Sequence, residues 1–469
     1  MASSERLVTR NFLALGSGEV IARLVAFAAT VYLARTLGAS YYGIIGFATA
    51  VVLYLSRIAD GGMELGIGVR EIAADPSGLD RVVPTILTAR LLAAIVVSGG
   101  LALLGLLVFP QPEGTVLALY GLTLLAVGAS SRWIYLGLEQ PGLVAAVRTG
   151  GETLMVLLVF LLVRSPAHLT RAPLAQFAGD AAAAVILLGW LAARGHSLRP
   201  RLDPAVVRRL LPRAGSMVGA SLLGLMIYNS DLVFLRVFEG TASVGYYAVA
   251  YTLVSFMSNV GVAYALSLLP TLTRLRAALD RQHRLYHTAT AHVFAATLPV
   301  ALGGTILASG IITLVFGDGY AHSAAALRIL VWAIPVSVLR DVAIVALMSA
   351  GRERRIFELT AWAAALNLLL NLLLIPRYSL IGAAAATVAT ETVRMVAAYA
   401  YARGAGFRVP GIDRLWKAAV AAVGMTLVLL LLRPAVLWVA VPLSAVVYAL
   451  GLALTGGLRV HWERPGLTV

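Results

Sequence analysis

The chain has 469 residues, of which 60% are hydrophobic and only 13% charged. Its mean hydropathy is +0.88. So few charges cannot cover a water-facing surface, which excludes a soluble enzyme or a free nucleic-acid binder. The net charge of +15 is carried by arginine, because Lys417 is the only lysine, and in a membrane chain such an excess reads first as topology. Cysteine is absent, which removes disulfides, thiolate metal sites and cysteine catalysis.

A bilayer core asks for ~20 apolar residues per helix. Fourteen stretches meet this. Six lie near 13–34, 42–59, 84–108, 115–136, 143–163 and 172–193. Six more lie near 214–238, 244–269, 291–316, 323–349, 356–375 and 380–402, and two follow at 418–432 and 435–454. The sequence therefore predicts an all-α polytopic membrane protein of about 14 transmembrane helices. The first stretch runs on into Ala34-Arg35-Thr36 rather than a cleavage site, and reads as a retained span. With the N-terminus inside, the inner segments carry 26 basic residues and the outer ones 5. That asymmetry predicts a multi-pass protein of the inner (plasma) membrane with both termini cytoplasmic.

The segment Val31-Tyr-Leu-Ala-Arg-Thr-Leu-Gly-Ala-Ser-Tyr-Tyr-Gly43 has an ungapped echo 202 residues later, Val233-Phe-Leu-Arg-Val-Phe-Glu-Gly-Thr-Ala-Ser-Val-Gly245. Gly38 faces Gly240 and Gly43 faces Gly245. Both copies end a span, turn at glycine and enter the next from the same side, which predicts two six-helix bundles in parallel, pseudo-twofold repeat. The expected organisation is an N-terminal six-helix bundle at 1–193 and a cytoplasmic basic linker at 194–213. A C-terminal six-helix bundle follows at 214–402, with two additional helices and a tail at 403–469. Two bundles joined by one inside connection is the plan of an alternating-access transporter.

Several segments then carry a resemblance. They are Tyr32-Leu-Ala-Arg-Thr-Leu-Gly38 with Tyr42-Gly43, Asp60-Gly-Gly with Arg70-Glu-Ile-Ala73, and Trp133-Ile-Tyr-Leu-Gly-Leu-Glu139. Further along come Asp231 with Gly245-Tyr-Tyr-Ala-Val-Ala250, Phe316-Gly-Asp-Gly-Tyr320, and Asn367-Leu-Leu-Leu-Asn371 with Leu374-Ile-Pro376 and Gly382-Ala-Ala-Ala. In order and spacing the chain resembles the multidrug, oligosaccharidyl-lipid and polysaccharide exporter superfamily. Within it the likeness is to bacterial polysaccharide-biosynthesis flippases of the O-antigen and capsule type. The resemblance implies a flippase that moves a polyprenyl-diphosphate-linked oligosaccharide from the inner to the outer leaflet. Its partners would be that anionic lipid-linked glycan, membrane lipid and polysaccharide assembly proteins, with no nucleic acid.

Charges at membrane depth are costly unless paired or facing water, so each is a functional candidate. Glu19–Arg23 and Arg148–Glu152 are spaced i,i+4 and Glu391–Arg394 i,i+3, which also fits pairing along one helix. Arg23 lies ~15 Å and Arg90 ~9 Å from the inner surface at 1.5 Å per residue, and Arg57 lies near the inner end of the second span. The planar fork of arginine suits diphosphate oxygens, so Arg23, Arg57 and Arg90 are the candidate substrate-binding residues. Lipid II flippases carry an arginine at the place of Arg23 and another where this chain has Ala29, a departure that argues against lipid II itself as substrate.

In the second half, Asp231, Asn367, Asn371 and Thr387 fall at one depth, ~6–12 Å below the outer surface. One carboxylate with amide and hydroxyl oxygens makes a hard-cation site; the competing reading is interhelical hydrogen-bond glue. Sodium-coupled members of the lipid II branch use a second acid where this chain has Asn371, so the resemblance implies a coupling site for Na+ or H+ of lower charge. His283, His287 and His292 have metal-like spacing but lie in a basic inner connection, and no metal is expected beyond a monovalent cation. No catalytic motif is present. The alternative function is a cation-coupled small-molecule exporter of the same fold. A membrane glycan polymerase or ligase would need a larger outer loop than any here.

Overall fold

The structure is a computed structural model. It describes the backbone of residues 2–64, 66–75, 79–407, 412–432, 437–457, 459–461 and 466–468. Side chains are described from residue 25 onward within those ranges, except at 412–414, 437, 459–461 and 466–468. Apart from a short antiparallel pair, Arg459–His461 with Gly466–Thr468, the described chain is helical. Ten helices are long and apolar enough to cross a membrane, and two shorter apolar helices follow.

The chain divides into two compact units, Met1–Leu225 and Met226–Val469, a boundary inside a helix. The first unit holds α1 (Ala2–Asp60), α2 (Ile67–Ala74), α3 (Leu79–Val108), α4 (Glu113–Ala129), α5 (Arg132–Gly137), α6 (Pro141–Leu162) and α7 (Arg171–Ala193). It also takes the first part of α8 (Pro204–Phe238). The second unit holds the rest of α8, α9 (Thr241–Ser267), α10 (Leu269–Arg274), α11 (Leu279–Phe316), α12 (Ser323–Leu330) and α13 (Ala333–Ser349). It ends with α14 (Glu353–Gly404), α15 (Ile412–Leu431) and α16 (Leu437–Leu454).

Two connections expected as loops are single residues. Spans expected at 13–34 and 42–59 are two helices joined at a kink, Gly38 (φ 73°, ψ 170°), together labelled α1. Those expected at 356–375 and 380–402 are likewise two helices joined at Ser379 (φ 50°, ψ −132°), together labelled α14. Conversely, two expected spans are each two helices: 115–136 breaks at Ser130–Ser131 between α4 and α5, and 323–349 breaks at Val331–Trp332 between α12 and α13. Pro335 sits in the first turn of α13, where its missing N–H costs least.

Gly38 and its repeat partner Gly240 adopt the same backbone. Gly240 caps α9 at φ 91°, ψ −178°. Both fall in a region that is essentially glycine-only, because a Cβ clashes with the flanking peptides. Gly240→Ala should therefore cost ~1–3 kcal/mol although nothing lies within 4 Å of the added Cβ. Thermal unfolding in detergent checks this: an unchanged midpoint would mean the turn tolerates a side chain.

Packing within the first unit uses close backbone approach. A Cβ built on Gly151 of α6 would lie 2.8 Å from the carbonyl oxygen of Gly179 on α7, the small-on-small contact that lets membrane helices meet without a hydrophobic drive. Beneath it lies a core around Trp133, Ile134 and Tyr135 of α5, all fully buried. The hydroxyl of Tyr135 donates to the Leu187 carbonyl of α7 at 2.6 Å. In the second unit the core centres on Tyr286, Val342 and Leu347. α15 and α16 lie against α11, where the Tyr448 hydroxyl donates to the Ala295 carbonyl at 2.7 Å.

Candidate functional site

The second unit buries an oxygen-rich cluster where α8, α9 and α14 meet. Asp231 is fully buried. Its Oδ2 accepts from the Tyr247 hydroxyl and from Thr387 Oγ1 at 3.1 Å, and those two hydroxyls lie 3.2 Å apart. Its neighbour Ser230 donates to Asn367 Oδ1 at 3.0 Å and accepts from Asn371 Nδ2 at 3.1 Å. One turn of α14 brings Asn371 Nδ2 to Asn367 Oδ1 at 3.0 Å, and Asn367 Nδ2 reaches Thr390 Oγ1 at 3.4 Å. The four candidates thus gather into two linked groups, Asp231 with Thr387 and Asn367 with Asn371, joined through consecutive residues of α8.

Two oxygens are left over. Asp231 Oδ1 and Asn371 Oδ1 are buried and have no hydrogen-bond partner. An orphaned carboxylate oxygen in a dry site is expensive. A carboxylate with amide and hydroxyl oxygens is the donor chemistry of a hard cation, so these residues fit one. Among the described residues no group of three or more His, Asp or Glu side chains is arranged to hold a metal ion.

Beside it lies a charged network that the sequence reading gave only in part. Arg394 meets Glu391 at 3.3 Å along α14, the expected i,i+3 pair. Arg340 of α13 also binds Glu391, holds Asp341 at 2.6 Å and donates to the Tyr228 hydroxyl at 2.8 Å. Arg394 donates to the same hydroxyl at 3.0 Å. The four charges sum to zero. Arg340, Asp341 and Glu391 line a cavity of about 230 Å³ together with Tyr251, Ser258, Asn259 and Thr387, so the network and the oxygen cluster share a wall.

In the first unit, Arg90 of α3 is 3% exposed. Its guanidinium donates at the end of α4 to the carbonyls of Ser130 at 2.6 Å and Val127 at 2.7 Å, the latter also accepting from the Ser130 N–H at 3.2 Å. It also meets Asp60 at 3.1 Å. An arginine at a buried helix C-terminus answers both the exposed carbonyl lone pairs and the helix dipole. Arg57 lies near enough to Asp60 to add to the positive potential there, while Arg90 holds the ion pair. Arg57 Nε is buried without a hydrogen-bond partner. Glu64 extends the group, accepting from Ser130 at 2.5 Å and facing Arg132 at 3.5 Å. The side chains of Glu19 and Arg23 lie outside the described residues.

Comparison with known proteins decides the family. The family described as "Polysaccharide biosynthesis protein" matches residues 8–276, more than half of the chain. The chain belongs to the polysaccharide biosynthesis protein family. The family described as "Lipid II flippase MurJ" matches residues 153–455, and both are transporter families of the multidrug, oligosaccharidyl-lipid and polysaccharide exporter superfamily. A curated relative, the probable flippase AglR of Haloferax volcanii, is 27% identical over 238 residues; the match spans 48% of this chain and 48% of that relative, about half its length. Among solved structures, a lipid II flippase MurJ in an inward closed conformation aligns with a TM-score of 0.80 at 12% identity. That alignment covers 94% of this chain and 98% of the other. A Vibrio cholerae MATE transporter aligns at 0.57 and 17% identity, covering 86% and 98%. At such identities these likenesses establish the fold: an all-α, multi-pass membrane transporter fold shared with MurJ and MATE proteins.

For this member of the polysaccharide biosynthesis family, the residues missed from sequence are Ser230, Tyr247 and Thr390 around the oxygen cluster, Arg340 and Asp341 in the charged network, and Glu64 beside Arg90. Tyr247 was visible only inside the Gly245-Tyr-Tyr-Ala-Val-Ala250 segment that carries the family resemblance. The adjacent opposite charges Arg340-Asp341, deep in an apolar stretch, were a signal that partners lay on another helix.

Proposed function

We propose that the chain is an alternating-access flippase that moves a polyprenyl-diphosphate-linked oligosaccharide from the inner to the outer leaflet for cell-surface polysaccharide biosynthesis. In this reading two six-helix bundles in parallel repeat do the moving, and the two C-terminal helices stand outside them. The matching backbone of Gly38 and Gly240 supports the repeat. The observation that carries the function is the family match over residues 8–276, a family described as polysaccharide biosynthesis protein; the second matching family is described as a lipid II flippase, and a lipid-linked glycan is the cargo that joins the two descriptions. In the first unit Arg57 offers a guanidinium nitrogen without a partner. Arg90 works as a positioning residue, holding Asp60 and the end of α4. Arg23 completes the cationic set proposed for the diphosphate.

In the second unit, Asp231, Thr387, Asn367 and Asn371 would hold a monovalent coupling cation, sodium or a proton. When bound, the ion would supply positive charge to a site that is otherwise a buried anion. Binding drives a conformational change only by favouring one state over the other; Ser230 and Tyr247 fix the geometry that makes such a preference sharp.

Removing Arg57 should weaken diphosphate binding by ~1.5–3 kcal/mol, roughly 10- to 150-fold, and Arg57→Lys should restore charge but not the fork. Binding of a polyprenyl diphosphate to Arg57→Ala and Arg57→Lys measures this; wild-type affinity in Arg57→Ala would remove Arg57 from the site. The proposed orientation has its own check. Single cysteines at Gln111 or Ser243 should react with an impermeant reagent from outside, and one at Ser197 should not; the reverse pattern would invert the topology.

A further inference from the structure

The first unit has a mostly apolar slot, with Arg90 in its wall, to which the transport reading assigns no ligand. It lies between the end of α1, the start of α3 and the first turns of α8, and has a volume of about 200 Å³. Ile58, Ile86, Ala89, Ala93, Val207 and Leu211 line it. From Thr85 to Ala93 it follows α3 for ~12 Å at 1.5 Å per residue. An open groove lined by aliphatic side chains offers apolar surface, and in a membrane the available filler is hydrocarbon.

The rim is cationic. The basic segment before α8 is laid along α3 by two backbone bonds. Arg201 N–H donates to Thr88 Oγ1 at 3.1 Å and Asp203 N–H to Thr85 Oγ1 at 3.3 Å, Thr85 being itself part of the slot wall. Asp203, held below the usual carboxylate range by the Ala205 N–H and by Arg81, pairs with Arg81 at 3.2 Å. Glu71 takes Arg209 at 2.5 Å and Arg213 at 3.4 Å. That leaves Arg201 and Arg208 exposed and without an acidic partner among the described residues. Arg208 follows Val207 and precedes Leu211 by one turn of α8, so it flanks the wall those two form.

We propose that this slot binds one anionic phospholipid, an acyl chain seated between α3 and α8 and the phosphate-bearing headgroup held by Arg201 and Arg208. Arginines beside a membrane helix are drawn to anionic headgroups, and the adjoining slot turns a diffuse attraction into a site. A bound lipid of this kind would tie the start of α8 to α3. The proposal does not depend on what the protein transports.

Native mass spectrometry of the full chain in detergent tests it, with phosphatidylglycerol and phosphatidylcholine of identical acyl chains as probes. At about one headgroup contact per arginine, the wild type should retain a single phosphatidylglycerol roughly 10- to 30-fold in preference to phosphatidylcholine. The double variant Arg201→Gln, Arg208→Gln should lose that preference while still taking up phosphatidylcholine. Ala93→Phe, which fills the slot, should lose both lipids. If Ala93→Phe does not fold, the double variant still decides, because both arginines are exposed. Equal retention of the two lipids by the wild type, an unchanged preference in the double variant, or undiminished binding by a folded Ala93→Phe protein would each overturn the proposal. So would displacement of the phosphatidylglycerol by a polyprenyl phosphate at equal concentration, which would give the slot to the substrate tail.

Discussion

Glu391→Gln should be among the most destabilising single substitutions in the chain, costing ~3–5 kcal/mol. Glu391 is 1% exposed and stands between two buried arginines, Arg340 and Arg394. Neutralising it leaves two guanidinium groups sharing Asp341 and the Tyr228 hydroxyl, and a single buried carboxylate cannot compensate both. For a unit of this size the thermal midpoint in detergent should fall by roughly 6–20 °C. The double variant Glu391→Met, Arg394→Met should recover most of the loss, because the Arg340–Asp341 pair at 2.6 Å remains and the net charge is again zero. A Glu391→Gln protein as stable as wild type would mean that the network is hydrated rather than dry.

Asp231→Asn should have the largest effect on transport while sparing the fold. Asparagine keeps the shape and can still accept from Tyr247 and Thr387, so the packing of α8, α9 and α14 survives. What is lost is the one formal negative charge of the oxygen cluster and the orphaned oxygen Oδ1. Losing a charge-assisted contact of ~1.5–3 kcal/mol should lower cation affinity roughly 10- to 150-fold, and transport should cease to respond to an ion gradient. Thr387→Val removes a neutral donor and should cost less, ~0.5–1.5 kcal/mol. Vesicle transport measured with and without sodium and proton gradients checks both. A gradient response that persists in Asp231→Asn would reduce the cluster to packing glue.

Hydropathy was enough to show the helices and the class, because a bilayer leaves few alternatives to apolar helices of fixed length. It could not show how helices join. The turn at Gly38 was legible only through its repeat partner Gly240, and Ser379 interrupts α14 with a single residue, a break that leaves no polar stretch to read. The Asn367–Asn371 pair was legible because i,i+4 spacing puts both on one face, and Asp231 because an acid in an apolar span demands a reason. Arg90 was legible as a buried charge but not as a cap. Its partners are backbone carbonyls of Val127 and Ser130, and backbone groups leave no mark in a sequence. Arg340 and Glu391 meet across 51 positions, a pairing that only the packing of α13 on α14 creates.

The central claim is that this chain turns over a lipid-linked glycan. Purified protein reconstituted into vesicles with a polyprenyl-diphosphate oligosaccharide tests it most directly, the exposed glycan being read by an impermeant glycan-modifying enzyme. Flipping is expected to require the protein, to depend on a sodium or proton gradient and to be lost in Arg57→Ala. No movement of the lipid-linked glycan, together with gradient-driven efflux of a small organic cation from the same vesicles, would contradict it and leave the small-molecule exporter in its place.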